Sequence, residues 1–283
     1  MRSPVGESSV LMWFVAVAVL LLASRTYVQY LRRLVYEGPL RMWRELLAAS
    51  FSLAAGLWAA MVLGVHAVGL GFELGYHPLK VSSALLAAFV AIALITGLTT
   101  YRPRWYGQII AALVLGLVTL ALQVATMWSI GAEPGYLWRR ESLLFAALLA
   151  MVGLGIGGRI VASARRGSRT DRGSFRTLAA LVMGACLVAS QELVLSAAGL
   201  DRQVASSHAR FLSETVNLLV AGALVPLMLV LMLADQYAQR RDRASRRARR
   251  KRGLHVGSAG SESRFSESLL ASELSELKDG AQR

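Results

Sequence analysis

A chain of 283 residues that is 55% hydrophobic, with a mean hydropathy of +0.50, carries more apolar surface than a soluble domain of its length can bury, which excludes an ordinary water-soluble fold. Its formal charge of +14 and pI near 10.9 would suggest nucleic acid as partner in a soluble protein. Here the arginines and lysines sit in short stretches between apolar runs, so the charge reads as membrane topology, and the one cysteine, Cys186, excludes an intramolecular disulfide.

Apolar runs long enough to span a bilayer fall at about 9–29, 46–68, 80–99, 107–128, 142–162, 175–198 and 212–237. The first, "VLMWFVAVAVLLLAS", has the length of a signal peptide, but cleavage near Ser24 lacks a small residue three positions earlier and would export an arginine-rich segment. It is read as a membrane helix. The expected organisation is an all-α integral membrane protein. A short external N-terminus (1–9) precedes a seven-helix membrane domain (10–237), a polybasic juxtamembrane segment (238–253) and a flexible tail with a short amphipathic helix (254–283). Lys and Arg number five, two and six in 24–45, 100–106 and 159–176, against one, one, two and two in 1–9, 69–80, 129–141 and 199–211. That bias places the N-terminus outside and the C-terminus in the cytoplasm.

The small residues of "GLGIGG", with Gly153 and Gly157 four apart, suit close helix packing in lipid better than a nucleotide-binding turn, because they lie mid-membrane and follow no strand. Pro226 is expected to kink the seventh helix.

The even-numbered spans resemble one another. "SLAAGLWAAMVLG", "LVLGLVTLALQVATM" and "LAALVMGACLVASQELVL" each run from Gly and Ala into a short stretch near the outer end, with Gln123 and Gln191 there in the second and third. The connectors "GYHPLKVSSALLAAF" and "GYLWRRESLLFAALL" share a Gly-Tyr start, about 60 residues apart. A two-helix unit copied three times, with one helix added, accounts for both patterns.

These stretches resemble those of the bacterial MHYT-domain integral membrane sensors. "AAGLWAAMVLG" is similar to that family's first motif region, "LVMGACLVASQELVLSAA" to its third, and "AVLLLASRTYVQYL" to its opening helix, so the resemblance covers roughly residues 10–237. It implies seven helices from three repeated pairs plus one, in the bacterial inner (plasma) membrane, and a role in signal transduction. The family places a Met-His-Tyr-Thr motif near the outer end of each even helix. Aligned on the flanks, its histidine falls on Met61, Gln123 and Gln191, its methionine on Ala60, Leu122 and Ser190, and its third tyrosine on Glu192.

The family is proposed to sense a diatomic gas through bound copper, so the resemblance suggests copper as cofactor, although the motif histidines are replaced. Copper(I) favours thioether, thiolate and imidazole donors, and Met61, His66, Met127 and Cys186 are the residues here of that kind. The plainer reading has Met61 and Met127 filling gaps and His66 at the membrane interface.

A carboxylate at membrane depth costs about 2.5–3.5 kcal/mol on insertion scales, so Glu192 is expected to face the bundle interior or an outward-opening cavity. Its expected partners are Glu214 and Asn217 at the start of the seventh span, or Arg202 and Arg210 in the preceding loop. Gln123 and Gln191, at matched depth, are expected to hydrogen-bond to each other, either as a clasp that fixes packing or as part of a ligand- or proton-responsive site.

No HExxH, P-loop or cluster of carboxylates is present, so no enzymatic activity is expected, and residues 211–239 lack the lysine a retinal photoreceptor needs. In "RRDRASRRARRKR", Arg246, Arg247, Arg249, Arg250, Lys251 and Arg252 are expected to bind anionic inner-leaflet lipid at about 1 kcal/mol per charge, ahead of any nucleic acid. "FSESLLASELSELKDG" places apolar residues at helical spacing and suits docking on a cytoplasmic protein. The expected function is a sensor-like regulatory membrane protein that signals through a separate cytoplasmic partner. A scaffold or accessory subunit that has lost ligand binding and a small-solute permease are the alternatives.

Overall fold

The structure, a computed structural model, describes residues 5–36, 39–68, 75–101, 105–133, 136–165, 173–198 and 205–206, and further residues scattered between 216 and 237. Its elements are α1 (Val5–Tyr36), α2 (Pro39–Val68), α3 (Pro78–Tyr101), α4 (Trp105–Trp128), β1 (Ala132–Glu133), α5 (Arg140–Arg165), α6 (Gly173–Ala197) and β2 (Ala205–Ser206). All eight belong to the compact unit Met1–Leu229, and Val230–Arg283 form a second unit.

All six helices are long and apolar enough to cross a membrane, over Val10–Leu34, Met42–Val68, Pro78–Thr100, Trp105–Trp128, Arg140–Arg159 and Thr177–Ala197. This is the architecture of a multi-pass membrane protein. Large apolar side chains line the outside, as Leu86, Leu94 and Leu98 do on α3, which suits a lipid solvent and no other. Helical residues at 216, 218–224, 226–227, 230 and 237 fall within the run expected as a seventh span. Leu218 and Leu224 pack against the core, Leu224 on Ala23 of α1 and Ala55 of α2. Glu214, Asn217, Arg202, Arg210, the polybasic residues Arg246, Arg247, Arg249, Arg250, Lys251 and Arg252, and the amphipathic tail lie outside the described residues.

Two boundaries differ from the sequence expectation. The helix of α1 already starts at Val5 and does not stop near residue 29; it runs on to Tyr36, and α2 begins at Pro39. The segment 24–45, expected as a basic loop, is therefore mostly helix. Tyr27, Val28, Leu31 and Leu34 recur at helical spacing and are buried, so an apolar face continues past the first arginine. Arg33 meets Glu45 of α2 at 3.7 Å, placing two of the charges against each other where the two helices adjoin. Ser24, the residue considered for signal cleavage, is fully buried inside α1.

The core forms around α2. Its most apolar window is 83% buried, against 17% for α3, and α2 touches α1, α3, α4 and α6. In lipid no hydrophobic force draws helices together, so close packing carries the bundle. Glycines mark the nearest approaches. A Cβ on Gly153 of α5 would lie 2.9 Å from the Cβ of Cys186 on α6, and one on Gly157 would lie 3.3 Å from Met183 Sδ. Gly116 of α4 stands in the same way against Met151 of α5. The pair in "GLGIGG" is thus a packing surface.

The ends at which α2, α4 and α6 finish, here termed the upper ends, are laced by main-chain bonds. The His77 N–H donates to the Ser129 carbonyl at 2.9 Å and the Arg139 N–H to the Ala197 carbonyl at 3.0 Å. β1 pairs antiparallel with β2, Ala132 opposite Ser206 and Glu133 opposite Ala205. Gly131, at φ 63°, makes the turn that leads from α4 into β1, a conformation a side chain would strain.

Candidate functional site

The repeated Gly-Tyr connectors place equivalent tyrosines. Tyr76 is fully buried and stacks on His66 near the end of α2, ring centroids 6.3 Å apart and planes within 16°. The Tyr136 hydroxyl donates to the Met127 carbonyl near the end of α4 at 2.6 Å. Each tyrosine folds back onto the even helix that precedes it, at a spacing of ten residues in one case and nine in the other.

Below them, the three positions aligned as equivalents come together. Gln191 Nε2 donates to the Ala60 carbonyl at 2.8 Å, bonding α6 to α2 beside Met61. Ser190 Oγ donates to Gln123 Oε1 at 3.4 Å, joining α6 to α4. At 1.5 Å per residue, Ala60, Gln123 and Gln191 lie about 7–12 Å below the upper ends of their helices, in one layer. Gly64 permits the approach, since a Cβ there would collide with the Gln191 amide.

The expected direct Gln123–Gln191 pair does not form. The two glutamines share a depth but point differently: Ser190, one step from Gln191 and roughly 100° around the helix, is the residue that faces Gln123. Gln123 Nε2 and Gln191 Oε1 consequently have no hydrogen-bond partner among the described residues, although both side chains are buried. Thr119 Oγ1, one turn below Gln123, and Trp58 Nε1, two residues before Ala60, are in the same position. An unmet buried polar atom costs about 1–3 kcal/mol, so this layer is suited to a small hydrogen-bonding occupant.

Glu192 faces away from the layer. It lines an open pocket of about 220 Å³ with Val10, Trp13, Gly64, Ala67 and Val68. Trp13 Nε1–H donates to Glu192 Oε1 at 2.7 Å, tying α1 to α6. Of the two placements expected for Glu192, this is a cavity and not the bundle interior, and Trp13 is a partner the sequence did not suggest; Glu214, Asn217, Arg202 and Arg210 lie outside the described residues. Only the aromatic residue near the start of an apolar run marked Trp13 in the sequence, and that signal ordinarily means an interfacial anchor.

The sulfur and imidazole residues do not form one donor set. His66 Nδ1–H donates to the Val62 carbonyl at 2.7 Å, and its ring is held against Tyr76. Cys186 is five residues from Gln191, roughly 140° around α6, and faces Gly153 of α5 rather than α2. Met61 and Met127 are both fully buried core side chains on α2 and α4. Among the described residues no group of three His, Cys, Asp or Glu is arranged to hold a metal. Among the described residues, His66 and Cys186 therefore do not share a copper site.

A second cavity lies towards the lower ends, lined by Tyr27, Thr96, Thr99, Thr100, Gln108 and apolar residues of α1, α4 and α5, with about 30 Å³ of enclosed space. The Tyr27 and Thr96 hydroxyls are hydrogen-bonded at 3.1 Å. No sequence signal singled it out, because Thr96, Thr99 and Thr100 of α3 meet Tyr27 of α1 from far along the chain. The chain matches no protein-family model, no curated protein and no solved structure.

Proposed function

We propose that the chain is a sensor-like regulatory protein of the bacterial inner membrane. In this reading seven spans run with the N-terminus outside, the layer at the upper ends of α2, α4 and α6 is its receptor, and the C-terminal tail passes the state of the bundle to a separate cytoplasmic protein. The observation that carries the reading is the convergence of Ala60, Gln123, Ser190 and Gln191, with an amide donor and an amide acceptor left unmet inside it. Those atoms give three helices a reason to shift together when a small polar ligand binds. The resemblance to a sensor family supports the same reading.

The test is partner capture by cross-linking in native membranes, comparing the full chain with the Gln123→Leu/Gln191→Leu variant. Loss or exchange of captured cytoplasmic partners, with the variant still folded, is the expected result. An identical partner set would overturn the receptor role and favour a scaffold.

A further inference from the structure

We propose that the Trp13–Glu192 pocket binds the primary ammonium headgroup of a phosphatidylethanolamine-type lipid, drawn from the leaflet at whose depth it lies. The inference goes beyond the receptor role proposed above and does not depend on it.

Depth is the first argument. Trp13 lies three residues inside the start of the α1 span and Glu192 five residues before the end of the α6 span. At 1.5 Å per residue both sit about 4–8 Å inside the ends of these apolar spans, where headgroups meet acyl chains. Val10 and Val68, which line it, are 54% and 57% exposed, and the neighbouring Leu11 and Phe14 of α1 are exposed too, an apolar surround suited to lipid.

Charge is the second. Among the described residues lining the pocket, Glu192 is the one ionisable group and none is a cation. Trp13 orients the carboxylate through Oε1, and Oε2 has no bond among the described residues. A carboxylate at this depth is costly unless a cation shares the site, and an ammonium group supplies both the charge and N–H donors. The indole of Trp13 adds a face that attracts cations.

The lining also narrows the class of cation. Calcium takes six to eight oxygen ligands and magnesium an octahedron of them, whereas among the described lining residues one carboxylate stands beside apolar side chains. A quaternary ammonium is held by a cage of several rings and cannot donate to a carboxylate; a single ring beside a carboxylate favours the primary amine. About 220 Å³ far exceeds the space a bare ion needs, while Val10, Ala67 and Val68 suit the methylene carbons next to the amine and the upper acyl chain.

Native mass spectrometry of the full chain, loaded with equimolar phosphatidylethanolamine, phosphatidylcholine and phosphatidylglycerol, reads the preference. The expected result is retention of phosphatidylethanolamine over the other two on the order of tenfold. Glu192→Gln should remove that preference. Ala67→Leu, which narrows the pocket and leaves the carboxylate in place, should lower it as well, so the result does not depend on one variant folding. Soluble phosphoethanolamine should fail to displace the lipid; displacement at millimolar concentration would show that the pocket takes a free amine and overturn the lipid assignment. Equal retention of the three lipids, or a preference unchanged in both variants, would overturn the proposal. Partner capture can fail without altering this readout, so the two ideas fall separately.

Discussion

Gln191 on α6 donates its amide hydrogen to the main-chain carbonyl of Ala60 on α2, 2.8 Å away, in the interior of the bundle. The bond is possible because Gly64, one turn further along α2, leaves room for the amide. In lipid such an interhelical bond contributes about 0.6 kcal/mol on average and up to about 1.7 kcal/mol. Gln191→Leu is therefore expected to lower the stability of the detergent-solubilised chain by that amount, measured by unfolding in mixed micelles.

Gly64→Ala places a methyl group where the Gln191 amide lies, so that side chain must swing aside and give up its bond to Ala60; the expected cost is the same, about 0.6–1.7 kcal/mol. Gly158→Ala is the control. No atom lies within 4 Å of a Cβ there, and alanine is favoured over glycine in a helix by about 0.5–1 kcal/mol, so that change should be neutral or stabilising. Melting temperatures of the two variants in one detergent decide the matter, and a loss at Gly158 equal to that at Gly64 would refute the argument.

Trp13 and Glu192 should be energetically coupled. A double-mutant cycle of Trp13→Phe and Glu192→Gln is expected to give about 0.5–1.5 kcal/mol, the usual net worth of one hydrogen bond. Additive effects would mean that the bond between α1 and α6 contributes nothing measurable.

The proposed orientation has its own test. In a Cys186→Ala background, Lys80→Cys at the start of α3 and Trp105→Cys at the start of α4 place thiols at exposed positions near opposite ends of the bundle. A membrane-impermeant maleimide added to intact cells should label the first and spare the second. The reverse pattern would invert the topology.

The positions of the spans were legible because hydrocarbon thickness sets a minimum length for any apolar run, and residues 80–99 or 107–128 offered little choice. The length of α1 was less so. Arg25, Arg32 and Arg33 read as the end of a span, yet the buried face from Tyr27 to Leu34 holds the helix to Tyr36. In the candidate site, depth was legible and direction was not. The repeat placed Gln123 and Gln191 at one level, but a single residue turns a helical side chain by roughly 100°, and that step gave Ser190 to Gln123 and Gln191 to Ala60. Trp13 stands 179 residues from Glu192, and no local pattern joins residues so far apart.

The lacing of the upper ends works as a hoop around staves. Bonds from His77 to Ser129 and from Arg139 to Ala197, with the pairing of β1 and β2, tie the adjoining ends of α3, α4, α5 and α6, so a tilt of α4 pivots there. The 24 residues of α4 make a lever about 36 Å long, and a tilt of about 5° at the hoop carries its opposite end about 3 Å. A shift too small to break a hydrogen bond beside Gln123 thus becomes, at the far face of the membrane, a displacement the width of an atom.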